Sequence, residues 1–356
     1  MLERHSAGPE LVSVYGRAAL RDAIANRFAE ATTFVEKGFA LARELGVEDV
    51  TLLQARAAVS SYQGDASWLD DIQASIDLGL RLGLGRTTAV SINNLADGIG
   101  YFVGLREALT HWDEGIAFSY GRGLTGIEMW QRGERLRALY HLGDWAELLS
   151  EADEVLDWEQ RHGGGQLEVI ARIHLASVLV HHGAFDNAKA NVDALVPKAR
   201  ESGDPQVLVP GLSTAALVAA ALGDTQRALA FVRELLESRS PIWRDYCLVW
   251  PARIAIGSGE PELAEAFLEA STESSAAWNV CAHLTARAML AEDAGQSDEA
   301  ARLYRDAAER WDSYGSVVER GYALLGLGRC GEAKAQIEGQ AIFAALGASP
   351  VVAKAA

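Results

Sequence analysis

The sequence predicts an all-α protein, a right-handed superhelical solenoid of about nine helix-turn-helix repeats, and three observations carry that prediction. First, nine turn residues, Asn26, Gly64, Gly104, Gly143, Gly183, Gly223, Gly259, Gly295 and Gly328, are each followed five places later, or four after Gly104, by a small or aliphatic residue: Ala31, Leu69, Ala108, Leu148, Ala188, Ala228, Ala264, Ala300 and Ala333. Second, successive turns lie about 33 to 40 residues apart, the period of helical repeat arrays. Third, helix formers dominate the composition, aromatics make up 8%, and only eight prolines interrupt 356 residues. Neither helix of such a hairpin can bury its apolar stripe alone, so the hairpins must stack. Residues 1–356 are therefore expected to form a single repeat domain of about 18 helices.

The second hairpin shows the pattern along the chain. Residues 51–63 make its first helix, Gly64-Asp65 the turn, and the segment from Ala66 to about Gly83 its second helix. Gly46, Gly83, Gly123, Gly163, Gly203 and Gly315 stand where the chain must leave a second helix in a left-handed conformation. Pro205, Pro241 and Pro261 fall at helix starts, where a missing amide donor costs little. The Ala after seven of the nine turns lets two helices cross closely, and Ala57, Ala176, Ala216, Ala252 and Ala288, seven places before their turns, supply the other side of the crossing. Asp97 and Leu136 break that rule in adjoining hairpins, which should pack differently. Gly328 to Ala333 brings the last two helices almost directly together, so 317–356 is expected to be a shortened C-terminal cap.

The pattern turn-x-aromatic-x-x-Ala, as in Gly183-Ala184-Phe185-Asp186-Asn187-Ala188, resembles a tetratricopeptide repeat in a long version of about 40 residues. The stretch RDAAERWDSYGSVVERGYALLGLGRC at 305–330, with NNLAD at 93–97 and GDPQVLVPG at 203–211, is similar to the C-terminal repeat arm of large bacterial signalling ATPases, including those joined to adenylate cyclase domains or winged regulator heads. The resemblance implies a non-catalytic sensor arm that binds a protein, a peptide or a small inducer. The ATPase itself is missing: none of Lys37, Lys189, Lys198, Lys334 and Lys354 completes a phosphate-binding glycine loop. Both a piece of a larger protein and a stand-alone product fit this reading.

Composition narrows the remaining classes. A formal charge of −17 repels phosphate backbones, so nucleic acid is not an expected partner. The apolar runs fall short of the roughly 20 residues that span a bilayer, and MLERHSAGPE lacks the apolar core of a signal peptide, so a cytoplasmic protein without membrane contact is expected. Cys247, Cys281 and Cys330 are far apart with no CxxC spacing, which indicates neither zinc nor a disulfide framework. His181 and His182 are neighbours on a helix and point about 100° apart, a poor metal pair. No nucleophile motif is present, so neither catalysis nor a cofactor is expected.

In tetratricopeptide arrays the ligand lies on the inner surface lined by first helices. Carried over by the turn glycine, the resemblance places inner residues about 13, 10, 6, 3 and 2 positions before each turn. That count selects Asn94 and Tyr101 before Gly104, Trp130, Arg137, Tyr140 and His141 before Gly143, and His181 before Gly183. Arg137 can grip a carboxylate with two parallel bonds, Asn94 can fix an amide, and the aromatic residues offer flat apolar faces. The same aromatics would equally plug gaps where the solenoid curls. Two functions remain open: a ligand- or peptide-sensing arm with a specific inner pocket, and an assembly scaffold that holds protein partners or a second copy through exposed apolar patches.

Overall fold

Why a helix should start and stop where it does is visible at each hairpin, and the computed structural model describes residues 8–25, 27–238, 240–271 and 274–351. Asn26, read above as the first turn, and the leading residues 1–7 lie outside the described residues. Among the described residues there are nineteen helices and no strand. The nine hairpins are α1 (Pro9–Ile24) with α2 (Phe28–Leu45), α3 (Val50–Tyr62) with α4 (Trp68–Arg81), α5 (Gly85–Phe102) with α6 (Leu105–Tyr120), α7 (Thr125–Leu142) with α8 (Trp145–His162), α9 (Gln166–His181) with α10 (Phe185–Ser202), α11 (Pro205–Ala221) with α12 (Thr225–Leu236), α14 (Val249–Gly257) with α15 (Pro261–Glu269), α16 (Ala277–Asp293) with α17 (Ser297–Tyr314), and α18 (Val317–Arg329) with α19 (Ala333–Ala345). The one helix beyond the expected set is the short α13 (Pro241–Tyr246), opened by Pro241.

Helix stops follow the glycines. Gly46, Gly83, Gly123, Gly163, Gly203 and Gly315 all have φ between 63° and 106°, the region that glycine enters without steric cost. Side-chain caps open several helices: the carboxylate of Asp49 accepts from the Leu52 amide, Asp204 from Gln206, Asp224 from Arg227, and the Ser316 hydroxyl from Glu319.

The close crossings form as the small residues require. Ala31, Ala108, Ala188, Ala228, Ala264 and Ala300 are fully buried, as are Ala176, Ala216, Ala252 and Ala288 on the facing first helices. Two positions depart. Leu69 is 41% exposed, because two extra residues, Ala66 and Ser67, delay the start of α4 and turn Trp68 and Ile72 inward instead. Ala333 is exposed, because α18 runs on through Gly328 to Arg329 and the real turn is at Gly331, with φ 105°. The last two helices are thus joined by a turn like the others rather than directly, and Gly328 serves as a close approach: a Cβ there would stand 2.8 Å from the Cα of Gln336.

The chain divides into two compact units, one of residues 1–100 and 107–131, the other of 101–106 and 132–356. The division falls in the two hairpins that lack the small pair at Asp97 and Leu136. In the second of these, Leu136 and Leu148 are both fully buried, and Arg135 clamps Glu151 at 2.6 Å and Glu147 at 2.6 Å between α7 and α8. Within unit 1, α1, α2 and α3 share a core of Ala19, Ala23, Ala31, Val35, Ala55 and Val59. Within unit 2, first helices pack on first helices, α9 on α11, α11 on α14 and α14 on α16, so their inner faces converge.

Candidate functional site

The convergence of first helices in unit 2 brings together side chains far apart in sequence. From α7 come Arg137, Tyr140 and His141; from α9 Ile173, His174 and Ser177; from α11 Pro210, Ser213, Thr214 and Leu217. Tyr246 of α13, Cys247, Val249 and Trp250 of α14, Trp278 of α16 and Glu319 of α18 complete the wall of one cavity of about 80 Å³. A water needs roughly 10–15 Å³ by this measure, so the cavity holds several waters or the tip of a small polar group.

The aromatic wall is continuous. Tyr246 stacks on Trp278 with ring centroids 4.9 Å apart, and Trp278 meets His141 edge-on at 5.0 Å and Trp311 at 5.2 Å. The Arg137 guanidinium lies over the Tyr246 ring, 4.9 Å from its centroid, a cation–π arrangement that also holds the ring in place. Tyr101 also stacks with Tyr246, at 6.3 Å, and donates its hydroxyl proton to Asn279 at 2.6 Å. The Tyr246 hydroxyl is itself buried and has no hydrogen-bond partner among the described residues.

Three histidines, the buried His141 and His181 and the half-buried His174, are held neutral. Burial first, and the neighbouring His174 and Arg137 charges second, push His141 down to about 3. Burial and then Arg137 push His174 to about 3. Burial likewise lowers His181 to about 4, against a hydrogen bond to the Ser177 carbonyl that favours the charged form. The hydrogen bonds fit neutral rings. Ser316 Oγ lies 3.0 Å from His141 Nδ1 and accepts from the Glu319 amide, which leaves its own proton for the imidazole. For His181, Nδ1 lies 2.7 Å from the Ser177 carbonyl and must donate, so Nε2 accepts from the Tyr322 hydroxyl at 3.0 Å.

Beside this row sits a buried ion pair. Arg253 donates to Glu319 at 2.8 Å, with side-chain exposures of 12% and 2%, and its guanidinium lies over the rings of Trp250 at 4.4 Å and Tyr322 at 4.1 Å. The Cys247 thiol on the cavity wall is pushed up to about 12 by burial, so it stays protonated and is a weak nucleophile. Among the described residues no group of three or more His, Cys, Asp or Glu is placed to hold a metal ion. Binding through a guanidinium, neutral imidazoles and aromatic faces is what this chemistry supports.

Of the residues selected from the sequence, Arg137, Tyr140 and His141 line the cavity, Tyr101 stands behind its Tyr246 wall, and His181 packs between Trp145 at 5.4 Å and Trp250 at 6.0 Å. Asn94, which is exposed, and Trp130, which is half-buried, belong to unit 1. The count from the turn glycines also reaches Ile173, Ser177, Pro210, Ser213 and Leu217, all on the wall. His174, Tyr246, Trp250, Trp278, Arg253 and Glu319 were missed. Continued to Gly259, the same count lands on Tyr246, Val249 and Arg253.

No protein-family model matches the chain, and no curated protein is similar to it. Among solved structures it is similar to a circular tandem repeat protein with novel repeat topology and enhanced subunit contact surfaces, at 14% identity and a TM-score of 0.21, over 95% of each chain. At that score nothing passes from that protein to this one. The helical repeat architecture rests on the nineteen helices and their stacking.

Proposed function

We propose that the chain is a non-catalytic binding module whose site is the interior of unit 2, and that it serves as the sensor arm of a signalling protein. One observation carries this reading: Arg137, a cation held among buried aromatic rings in a chain of formal charge −17, lines a cavity with His141, His174, Ser213, Thr214 and Glu319. A core that needed only to be filled would use aliphatic side chains, since polar groups taken out of water must each be compensated. Arg137 suits a carboxylate or carbonyl, and the Tyr246 and Trp278 faces suit an apolar group beside it. With room for only a few atoms, the cavity fits the end of a peptide or a small metabolite, and a larger ligand has to move the wall.

The signalling-ATPase role rests on the resemblance of 305–330, 93–97 and 203–211 to such repeat arms. A second reading, an assembly scaffold, is favoured by Leu80, Leu82 and Leu84, exposed at 51%, 52% and 43% around the turn from α4 to α5.

The test is a screen of metabolites and short peptides for a rise in melting temperature, repeated with Arg137→Ala. A ligand that loses about tenfold or more in affinity with the variant, at an unchanged ligand-free melting point, supports recognition by Arg137, since bonds to charged groups contribute roughly 1.5–3 kcal/mol. Binding that survives in a destabilised variant makes Arg137 a structural residue and ends the proposal.

A further inference from the structure

At the end of α19 the chain does not simply leave the molecule. Gly347, with φ 62°, closes the helix: its amide donates to the Ala344 carbonyl at 3.1 Å and the Ala348 amide reaches back to Phe343 at 2.9 Å. The chain is thereby turned across the end of α9. There the Ser349 amide donates to the His181 carbonyl at 2.9 Å, and the Val351 amide donates to the Tyr322 hydroxyl at 2.8 Å. His182 Nε2 lies 3.2 Å from the Leu346 carbonyl, and Val351 is buried.

Three features suit this arrangement to an extended peptide. The donors come from residues 349 and 351, the alternate spacing of an extended strand, and Pro350 between them has no amide to leave unsatisfied. The acceptor at His181 is a carbonyl in the last turn of α9, which has no partner within its own helix. Tyr322 is oriented in advance, because its proton goes to His181 Nε2 and its oxygen then faces the incoming amide. All of these groups lie on first helices of unit 2.

We propose that the groove between the end of α9 and Tyr322 of α18 is a docking site for an extended peptide, with an amide donor, a proline, a second donor and an aliphatic side chain in succession, and that residues 347–351 fill it in cis. A partner segment of that chemistry would displace them. Gly347 and Ser349 of the cis segment are exposed, as in a replaceable occupant. It competes at the high effective concentration of a short tether, so the intact chain binds such a peptide weakly until the segment is released. This rests on the reading of the unit 2 interior as a binding surface, but uses His181, Tyr322 and the α9 terminus rather than Arg137.

The experiment uses the full chain carrying Ser349→Pro and Val351→Asp, which remove one donor and the buried aliphatic group, and a fluorescein-labelled peptide of sequence ALGASPVVAK, that of residues 345–354. The expected result is a folded variant that binds the peptide at least tenfold more tightly than the wild type does, with binding lost again when Tyr322→Phe is added. Arg137→Ala should leave it unchanged, so failure at the Arg137 cavity and failure here are read separately. A folded variant that ignores the peptide overturns the proposal. So does a variant that melts far below the wild type, which makes 347–351 a strut of the fold, or one that becomes a dimer by exchanging this segment with a second copy.

Discussion

Units 1 and 2 use the same hairpin yet hold their interiors together in opposite ways. In unit 1 the carboxylates Asp22 and Glu128 are buried too, but the links between neighbouring hairpins are made by neutral side chains: Gln54 donates to Ser91 at 2.7 Å, Ser91 lies 2.9 Å from Ser75, and Gln131 bridges Ser119 at 2.8 Å and the Ala89 carbonyl at 3.0 Å. These links span 12 to 42 positions. In unit 2 the interior is aromatic and ionisable, and its links span 141 to 178 positions, from His181 to Tyr322, His141 to Ser316 and Tyr101 to Asn279. A stack with only neighbour contacts gains stability repeat by repeat, whereas side chains that reach across several repeats make them rise and fall together. Unit 2 should therefore unfold as one body and respond to protons, and unit 1 should do neither to the same degree.

The largest test of that contrast is pH. Unfolded, each imidazole titrates near 6.5, whereas folded His141 and His181 are lowered by burial to about 3 and about 4. Between those values the unfolded chain binds more protons than the folded one. The stability contributed by the neutral rings is thus fully present above about pH 6.5 and is lost as the pH falls toward 4. For these two groups the slope reaches about 3 kcal/mol per pH unit, with His174 half-buried and able to add less. Glu151, raised by burial, works weakly the other way as it regains its proton. Hydrogen exchange at pH 7.5, 6 and 5 should show protection falling along α7 and α9 and holding along α3 and α4. Equal loss in both units, or a flat profile, breaks the comparison.

That contrast also marks what could be read from the sequence. The hairpins, the helix stops and the crossing alanines depend on residues within one period, so spacing alone reveals them. Leu69 and Gly328 were misplaced because two extra residues before α4 and a longer α18 shift the local count, which no side chain announces. Arg137, Tyr140 and His141 were legible as inner residues by their distance from Gly143. That they meet Trp278, Tyr246 and Glu319 was not, because it depends on how several hairpins add up, and the short α13 carrying Tyr246 interrupts the period. The role of Ser349 and Val351 left no trace in the repeat pattern at all, since it consists of backbone amides.

The next effect isolates one long-range link of unit 2. Glu319→Ala leaves the Arg253 guanidinium buried against the rings of Trp250 and Tyr322 without its carboxylate, and removing one partner of a buried pair costs roughly 3–5 kcal/mol. Replacing both, Arg253→Met with Glu319→Leu, removes the charge along with its partner and should restore most of that loss. Urea midpoints of the two variants and the wild type decide the matter. A double variant no better than Glu319→Ala would show that shape, not charge, ties α14 to α18.

The smallest effect compares one repeat position in the two units. Ala188 is fully buried where α10 crosses α9, and Ala176 faces it, so Ala188→Leu has no room to enter without separating the helices, at a cost of about 1–3 kcal/mol. Leu69 holds the same place after its turn in unit 1 but is 41% exposed, so Leu69→Ala should stay within about 0.5 kcal/mol of wild type. Melting curves of both variants read the difference directly. If Leu69→Ala costs as much as Ala188→Leu, the two extra residues before α4 have not shifted its register. An unchanged midpoint for Ala188→Leu would mean that the helices of that hairpin do not cross at the alanine, and the five-residue rule would lose its physical basis.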